Sequence, residues 1–242
     1  MNEYRYEGQE LDVFAEASHW KQYFKSILLH YIGQCVAEVG AGLGATTAIL
    51  CDGKQDTWLC IEPDEKLKLQ IDKKISSGQL PACCQTSRVL IPDLDPGRQF
   101  DTILYIDVLE HIQEDAVELR EASQHLAPGG TLIVLSPAHQ FLFSEFDHSI
   151  GHFRRYNRES LLALTPSGCQ VERVYFLDSV GMGTSLANRV LLKQSKPTLQ
   201  QILFWERFLL PLSRFIDRLT GYHFGRSLVF VWRNRTDVEA KT

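Results

Sequence analysis

Two rhythms of apolar and polar residues alternate along the first 136 positions of the chain. Apolar residues at Leu11, Phe14, Trp20, Phe24, Ile27, Leu28 and Tyr31 recur at helical spacing, which predicts a helix over 10–32. Short apolar runs at 35–39 and Thr57–Ile61 predict strands, followed by helices near 43–51 and over Asp64–Ser76. A weaker strand is expected near 83–90. Phe100–Ile106 is almost continuously apolar, as in a parallel strand covered on both faces. A helix over Asp115–Leu126 is stopped by Pro128-Gly129-Gly130, and Thr131–Leu135 predicts another buried strand.

Strands and helices in this alternation specify a doubly wound α/β sheet. The rhythm breaks after Ser136, where 136–158 is a long irregular segment rich in His, Arg and aromatic residues. Loops of that length are usually functional. A helix near 158–165, a strand near 170–177, helices over 180–193 and 199–219, and a last strand over Ser227–Trp232 complete the pattern. There is no internal repeat and no low-complexity tract.

Composition narrows the classes. The 242 residues suit one domain, and 44% hydrophobic with 23% charged residues is ordinary for a folded protein. A net charge of −5 argues against a dedicated nucleic-acid binder. The six cysteines (35, 51, 60, 83, 84 and 169) form no C-x-x-C pair and read as buried, reduced thiols of a cytoplasmic protein. The first residues show no basic stretch leading into an apolar one, and no window reaches the roughly 18 apolar residues of a membrane span. A soluble protein is expected, attached at most to a membrane surface.

The most informative stretch is Val36-Ala37-Glu38-Val39-Gly40-Ala41-Gly42-Leu43-Gly44, three alternating glycines between a strand and a helix. Glycine lets the backbone approach a ligand closely. Gly40, Gly42 and Ala45 satisfy a loose dinucleotide fingerprint, with Glu62 placed where nicotinamide enzymes keep a ribose-binding acid. Three features favour another cofactor. Glu38 would repel a pyrophosphate but suits a cationic amino-acid tail; Asp107-Val108-Leu109-Glu110-His111 puts polar groups at a strand's carboxyl end; and two strands separated by a helical insertion close the chain.

These residues make the chain resemble the class I S-adenosylmethionine (SAM)-dependent methyltransferases. The matching motifs run in order: E-V-G-A-G-L-G, then Cys60-Ile61-Glu62-Pro63, then Phe100–Asp107, then Pro128-Gly129-Gly130-Thr131-Leu132. The resemblance implies a seven-stranded, mostly parallel sheet with an antiparallel C-terminal strand and a helical insertion before it. It implies one domain over 1–242, with a helical lid (1–32), a SAM-binding core (35–136), a substrate loop (137–158), the insertion (180–220) and the last strand (227–233). Glu38, Gly40, Ala41, Gly42 and Gly44 would surround the methionine end of SAM, with Asp107 and Val108 nearby. Glu62 and Pro63 would lie at the ribose. Many relatives place an acid after strand three for the adenine; here Thr86 or Ser87 offers a side-chain oxygen instead. The product would be S-adenosylhomocysteine (SAH).

Methyl transfer requires an in-line acceptor and removal of its proton if it is a weak nucleophile. The segment Gly151-His152-Phe153-Arg154-Arg155-Tyr156 resembles the G-H-x-R-R-Y stretch of a bacterial subgroup of small-molecule methyltransferases, several acting in saccharide or lipid-linked pathways. His152 is the leading general-base candidate and His139 the second. Arg154 and Arg155 suit a phosphate or carboxylate on the substrate, and Tyr156 suits the acceptor. The plainer reading has His152 and Tyr156 bracing the loop while the arginines pair with acids.

His148 and His152 have the spacing of metal ligands on a helix, but Gly151 disfavours that helix and no third ligand stands out, so no metal is expected. Trp20 and Tyr23, on the lid, are expected near SAM or substrate. Positions 205, 208, 209, 212, 216 and 219 form one apolar stripe, with Arg207, Arg214 and Arg218 elsewhere. That stripe suits core packing or a subunit contact better than an interfacial membrane helix; the chain is expected to be a monomer or homodimer. The competing functions are a nicotinamide-dependent oxidoreductase and a non-catalytic SAM-binding scaffold.

Overall fold

The computed structural model describes residues 17–187 and 198–235. The start of the expected 10–32 helix and the end of the 180–193 helix lie outside them. Helix α1 is Ser18–Leu28. The core alternates β1 (Cys35–Val39), α2 (Thr47–Leu50), β2 (Thr57–Ile61), α3 (Glu65–Ser76), β3 (Cys84–Ser87), β4 (Phe100–Ile106), α4 (Asp115–Gln124) and β5 (Leu126–Pro137). After two short helices, α5 (Glu145–Ser149) and α6 (Arg158–Ala163), come β6 (Cys169–Leu177), α7 (Ser179–Ala187), α8 (Leu199–Phe204), α9 (Leu210–Leu219) and β7 (Ser227–Asn234).

The strands form one seven-stranded sheet in the order β3-β2-β1-β4-β5-β7-β6. All pairs among β1 to β5 are parallel, and β7 is antiparallel to both its neighbours. The period-2 side-chain alternation of each strand feeds two cores. Val36, Trp58, Cys60, Leu104, Ile133, Leu135, Val229 and Val231 pack on one face with Trp20, Tyr23, Phe24 and Leu28 of α1. Ala37, Leu59, Ile61, Ile103, Tyr105, Leu132, Val134, Phe230 and Trp232 pack on the other, under Leu119 and Ala122 of α4 and Leu161 of α6. Both faces are dry, which is why these strands read as apolar runs.

Three expectations shift. The helix near 43–51 shrinks to four residues because Gly40, Gly42 and Gly44 all adopt left-handed φ values (67°, 56° and 70°) that no helix accepts. The third strand ends at Ser87, three residues early, and gives way to a turn at Ile91–Asp93. The 199–219 helix is interrupted by a π-helical turn, Trp205–Leu209. That turn resets the register, so the stripe drawn at uninterrupted spacing does not face inward as a unit. Ile202, Trp205, Glu206, Leu210, Ser213 and Asp217 are buried, whereas Phe208, Leu212 and Leu219 are exposed along with Phe204 and Phe215.

The buried face of this insertion is a polar hub. Asp178 accepts from Ser213 Oγ (2.5 Å), Gly181 N (3.0 Å), Trp205 Nε1 (2.9 Å) and Arg226 Nε (2.6 Å). Asp217 accepts from Tyr23 Oη (2.7 Å) and the backbone N–H groups of Asp178 (2.7 Å) and Ser179 (3.0 Å). Glu206 accepts from Trp20 N at 2.9 Å. The N-terminal helix is thereby bolted to the C-terminal insertion. All six cysteines are free thiols, with Cys35 and Cys83 half-buried instead of buried. Among the described residues, no helix is long and apolar enough to cross a membrane.

Candidate functional site

Strands β1, β4, β5 and β6 point their carboxyl ends at one edge. At or just past each end stands a left-handed residue: Gly40, Asp107 (φ 54°), His139 (φ 67°) and Asp178 (φ 64°). Asp, Asn and Gly tolerate this region best. The sharp turns line the carboxyl edge, where ligands usually bind in a crevice of open α/β sheets.

On the β1 side the glycine turn is wired to β2. Gly40 N and Ala41 N both donate to the Ile61 carbonyl (2.8 and 3.2 Å), and Gly42 N donates to Glu62 Oε2 at 2.7 Å. A methyl group added at Gly40 would stand 2.6 Å from Val108 Cγ2, so only glycine lets the turn close against the end of β4. Gly40, Val108 and Asp107 are thus brought together. Gly44 packs against Leu80 and Ile71.

Glu62 is buried, and each oxygen accepts one backbone N–H, from Gly42 and from Asp64 (2.9 Å to Oε1). A lone pair remains on each for a diol. Burial raises its carboxyl to about 7. Pro63, next in the chain, leads into the Asp64 N-cap of α3. Glu38 Oε2 accepts from Thr47 Oγ1 (2.7 Å) and Trp58 Nε1 (2.8 Å). It therefore ties α2 and β2 together behind the turn, and burial raises it to about 7 as well. Thr86 Oγ1 donates to Asp72 Oδ1 of α3 at 2.5 Å, an acid the sequence pattern did not single out.

The opposite wall comes from β4 and the substrate loop. Asp107 is exposed at the end of β4; desolvation by its neighbours raises its carboxyl to about 6, opposed by the charges of Lys21 and Arg226 and of His152 when it is protonated. His152 Nδ1 meets Asp147 Oδ1 at 2.9 Å. Burial alone would raise the Asp147 carboxyl, but hydrogen bonds from His152 and Arg155 and the Arg155 charge hold it well below the usual range. Ionised Asp147 requires a proton on His152 Nδ1, so in the neutral imidazole the lone pair is the one on Nε2.

That lone pair faces Glu110 Oε1 at 3.8 Å. Glu110 is fully buried, its Oε2 accepts from Ser136 Oγ at 2.7 Å, and Oε1 has no hydrogen-bond partner. Burial, then the Asp107 charge, raises Glu110 to about 8. His111 stands edge-on to His152, ring centroids 4.5 Å apart, and burial lowers it to about 4. Ligand atoms of Glu110, His111 and His152 lie within 4.8 Å of one another. The metal-ligand question posed on His148 and His152 therefore has a different answer: His148 is exposed, and Glu110 and His111 converge on His152 from β4. A strand-end E-H dipeptide was the available signal; its meeting with a residue about 40 positions later was not.

The remaining loop residues are heavily engaged. Arg155 grips Asp147 with two nitrogens (2.8 Å each), and Arg154 pairs with Asp115 at 2.5 Å. Tyr156 is 1% exposed, and its hydroxyl donates to Asp115 Oδ2 at 2.7 Å. His139 Nε2 donates to the Gly225 carbonyl at 3.0 Å while its ring stacks on Phe176. Tyr23 and Trp20 are buried in the polar hub against Asp217 and Trp205.

Comparison with known proteins agrees with this geometry. Residues 37–132 match the methyltransferase domain family. Coclaurine N-methyltransferase bound to N-methylheliamine and SAH aligns with a TM-score of 0.61 at 14% identity, over 88% of this chain and 72% of that one. The N-methyltransferase NodS from Bradyrhizobium japonicum WM9, in complex with SAH, gives 0.57 at 13%, over 96% and 93%. The [4+2]-cyclase SpnF gives 0.59 at 16%, over 87% and 79%. Such identities show a shared fold alone. No curated protein matches the sequence significantly. With its domain match over 37–132, its glycine turn and its 3-2-1-4-5-7-6 sheet, the chain carries a SAM-dependent methyltransferase domain on the seven-stranded α/β fold.

Proposed function

We propose that the protein transfers the methyl group of SAM to a hydroxyl oxygen of a small molecule. SAM would supply a methyl carbon activated by its sulfonium. The chain's own residues fit it: Glu62 keeps lone pairs for ribose hydroxyls, the Gly40–Gly44 turn admits a close ligand, and the Asp107 carboxylate suits the cationic amino-acid end. Glu38 acts one layer back, by shaping the turn through Thr47 and Trp58.

The observation carrying the acceptor assignment is the Asp147–His152 pair, which turns Nε2 towards the end of β4 beside Glu110. An amine acceptor attacks without help once neutral; a hydroxyl needs its proton removed or weakened. A buried, acid-oriented imidazole serves the second more than the first. Two of the structural neighbours are named N-methyltransferases, but at 14% and 13% identity their acceptor atoms do not carry over. Tyr156 and Arg155 serve as positioning residues, holding Asp115 and Asp147. An anionic substrate would have to share Arg154 or Arg155 with those acids. A saccharide or lipid-linked acceptor accords with the subgroup that the G-H-x-R-R-Y loop resembles.

The test is a panel of phenols, glycans and quinol precursors incubated with SAM, read as SAH formed, beside calorimetric titrations with SAM, SAH and NADH. Methylated hydroxyl products and SAM binding support the reading. NADH binding without a response to SAM overturns it, as does exclusive methylation of amines.

A further inference from the structure

We propose that Glu110 Oε1, His111 and His152 Nε2 form a binding site for one divalent transition-metal ion, of the Zn2+, Mn2+ or Fe2+ type, on the acceptor side of the crevice. The ion's catalytic role rests on the methyl-transfer reading; its binding does not.

Three observations meet here. The ligand atoms lie within 4.8 Å of one another, and the Glu110–His152 pair is at 3.8 Å. Ligands with metal bonds of about 2.0–2.2 Å stand about 3–4 Å apart, so a sub-ångström closure of these side chains completes the set. Secondly, Glu110 Oε1 is a fully buried carboxylate oxygen with no hydrogen-bond partner, although Oε2 of the same group is satisfied. In the neutral, Nδ1-protonated imidazole, Nε2 faces ionised Glu110 Oε1 as one acceptor facing another across that gap. Something positive belongs between them.

Thirdly, each ligand is oriented from behind. Glu110 is held by Ser136 Oγ, His152 by Asp147, which Arg155 clamps in turn, and the His111 ring by the Gly151 backbone. Outer partners of this kind set tautomer and direction at metal-binding histidines. Two imidazoles and one carboxylate suit Zn2+, Mn2+ or Fe2+ better than Ca2+ or Mg2+, which favour all-oxygen shells. Three protein ligands also leave a position open.

An acceptor hydroxyl in that open position would be acidified by the ion. Its O–H bond breaks, the proton passes to water, and the oxygen stays on the cation as the nucleophile, with no change of oxidation state. The His152 lone pair is then spent on the ion, which replaces the imidazole as the group that activates the acceptor.

The probe is Co2+, added to chain stripped with a chelator. Wild type should bind one Co2+ per chain, with visible d–d bands and no sulfur-to-cobalt charge-transfer band. That absence separates the site from the thiol cluster of Cys51, Cys83 and Cys84. Glu110→Gln and His111→Ala should weaken Co2+ binding on the order of 100-fold or more. Cys51→Ser should leave it unchanged. SAM affinity, measured on every variant, should stay within about threefold, which reports that each is folded. Absence of Co2+ binding in a chain that binds SAM overturns the site. So does binding carried by thiolate, or binding indifferent to Glu110→Gln and His111→Ala in folded protein. Co2+ bound as expected with no SAH formed from any acceptor would instead sink the methyl-transfer reading and leave the metal site standing.

Discussion

Two clusters of buried acids lie at the same sheet edge, and they are finished differently. In the helical insertion, Asp178 and Asp217 receive backbone N–H groups, hydroxyls, an indole and a guanidinium, and among the described residues the one orphan nearby is the Ser179 hydroxyl. At the end of β4, Glu110 is as deeply buried but one of its oxygens is left without a donor. A buried carboxyl oxygen without a partner is costly, which is part of why burial raises Glu110 to about 8. The saturated acids hold the architecture, and the unsaturated one stands beside His111 and His152.

The contrast can be broken from the architectural side first. Asp217→Ala removes the acceptor for Tyr23 Oη and two backbone N–H groups, so it should cost about 3–5 kcal/mol and lower the melting temperature by roughly 10 °C or more. Calorimetric unfolding checks this, and a shift under about 2 °C would show that the hub does not hold the fold together. From the other side, His152→Ala should lower turnover about 10²–10⁴-fold while SAM affinity stays the same. Turnover and calorimetry on one preparation separate the two effects.

Smaller effects sharpen the picture. Burial raises Glu38 from 4.5 to about 7. The folded state therefore holds more protons than the unfolded one between those values, and stability falls as pH rises from 4.5 towards 7. Glu38→Gln should accordingly gain more melting temperature over wild type at pH 8 than at pH 5, and scans at the two values test the sign. Glu62 is raised in the same way, and SAM hydroxyls favour its ionised form. SAM affinity should drop up to about tenfold per unit as pH falls below about 7. Smallest of all, Phe215→Ser on the exposed side of α9 should change stability by no more than about 0.5 kcal/mol in chemical denaturation, unlike Asp217 on the inner side.

How far the sequence reached follows from the range of each interaction. Dry strands announce themselves as apolar runs, so β1, β2, β4 and β5 were legible, as were the glycine turn and the Glu62 position. The 199–219 helix misled because a π-helical turn leaves no mark on a hydrophobic pattern, and one extra residue per turn rotates every position after it. Tyr156 and Arg155 carry the motif, yet their partners, Asp115 and Asp147, are ordinary acids at helix starts until the fold closes. Glu110, His111 and His152 were each visible. Their convergence depends on the Glu145–Gly151 excursion returning to the end of β4, where Phe153 N donates to the Glu110 carbonyl at 2.8 Å.

Three of the strands meeting at this edge stop at or near non-glycine residues in left-handed backbone, Asp107, His139 and Asp178. Each such residue costs on the order of 1 kcal/mol relative to a relaxed conformation. Directed evolution for heat tolerance would be drawn to these positions, because glycine or asparagine there releases tension. At Asp107 the same exchange erases the carboxylate at the end of β4, and at Asp178 it unpins the helical insertion. The chain can be hardened almost anywhere more cheaply than along this rim, so thermostable descendants should keep the three residues and alter their surroundings.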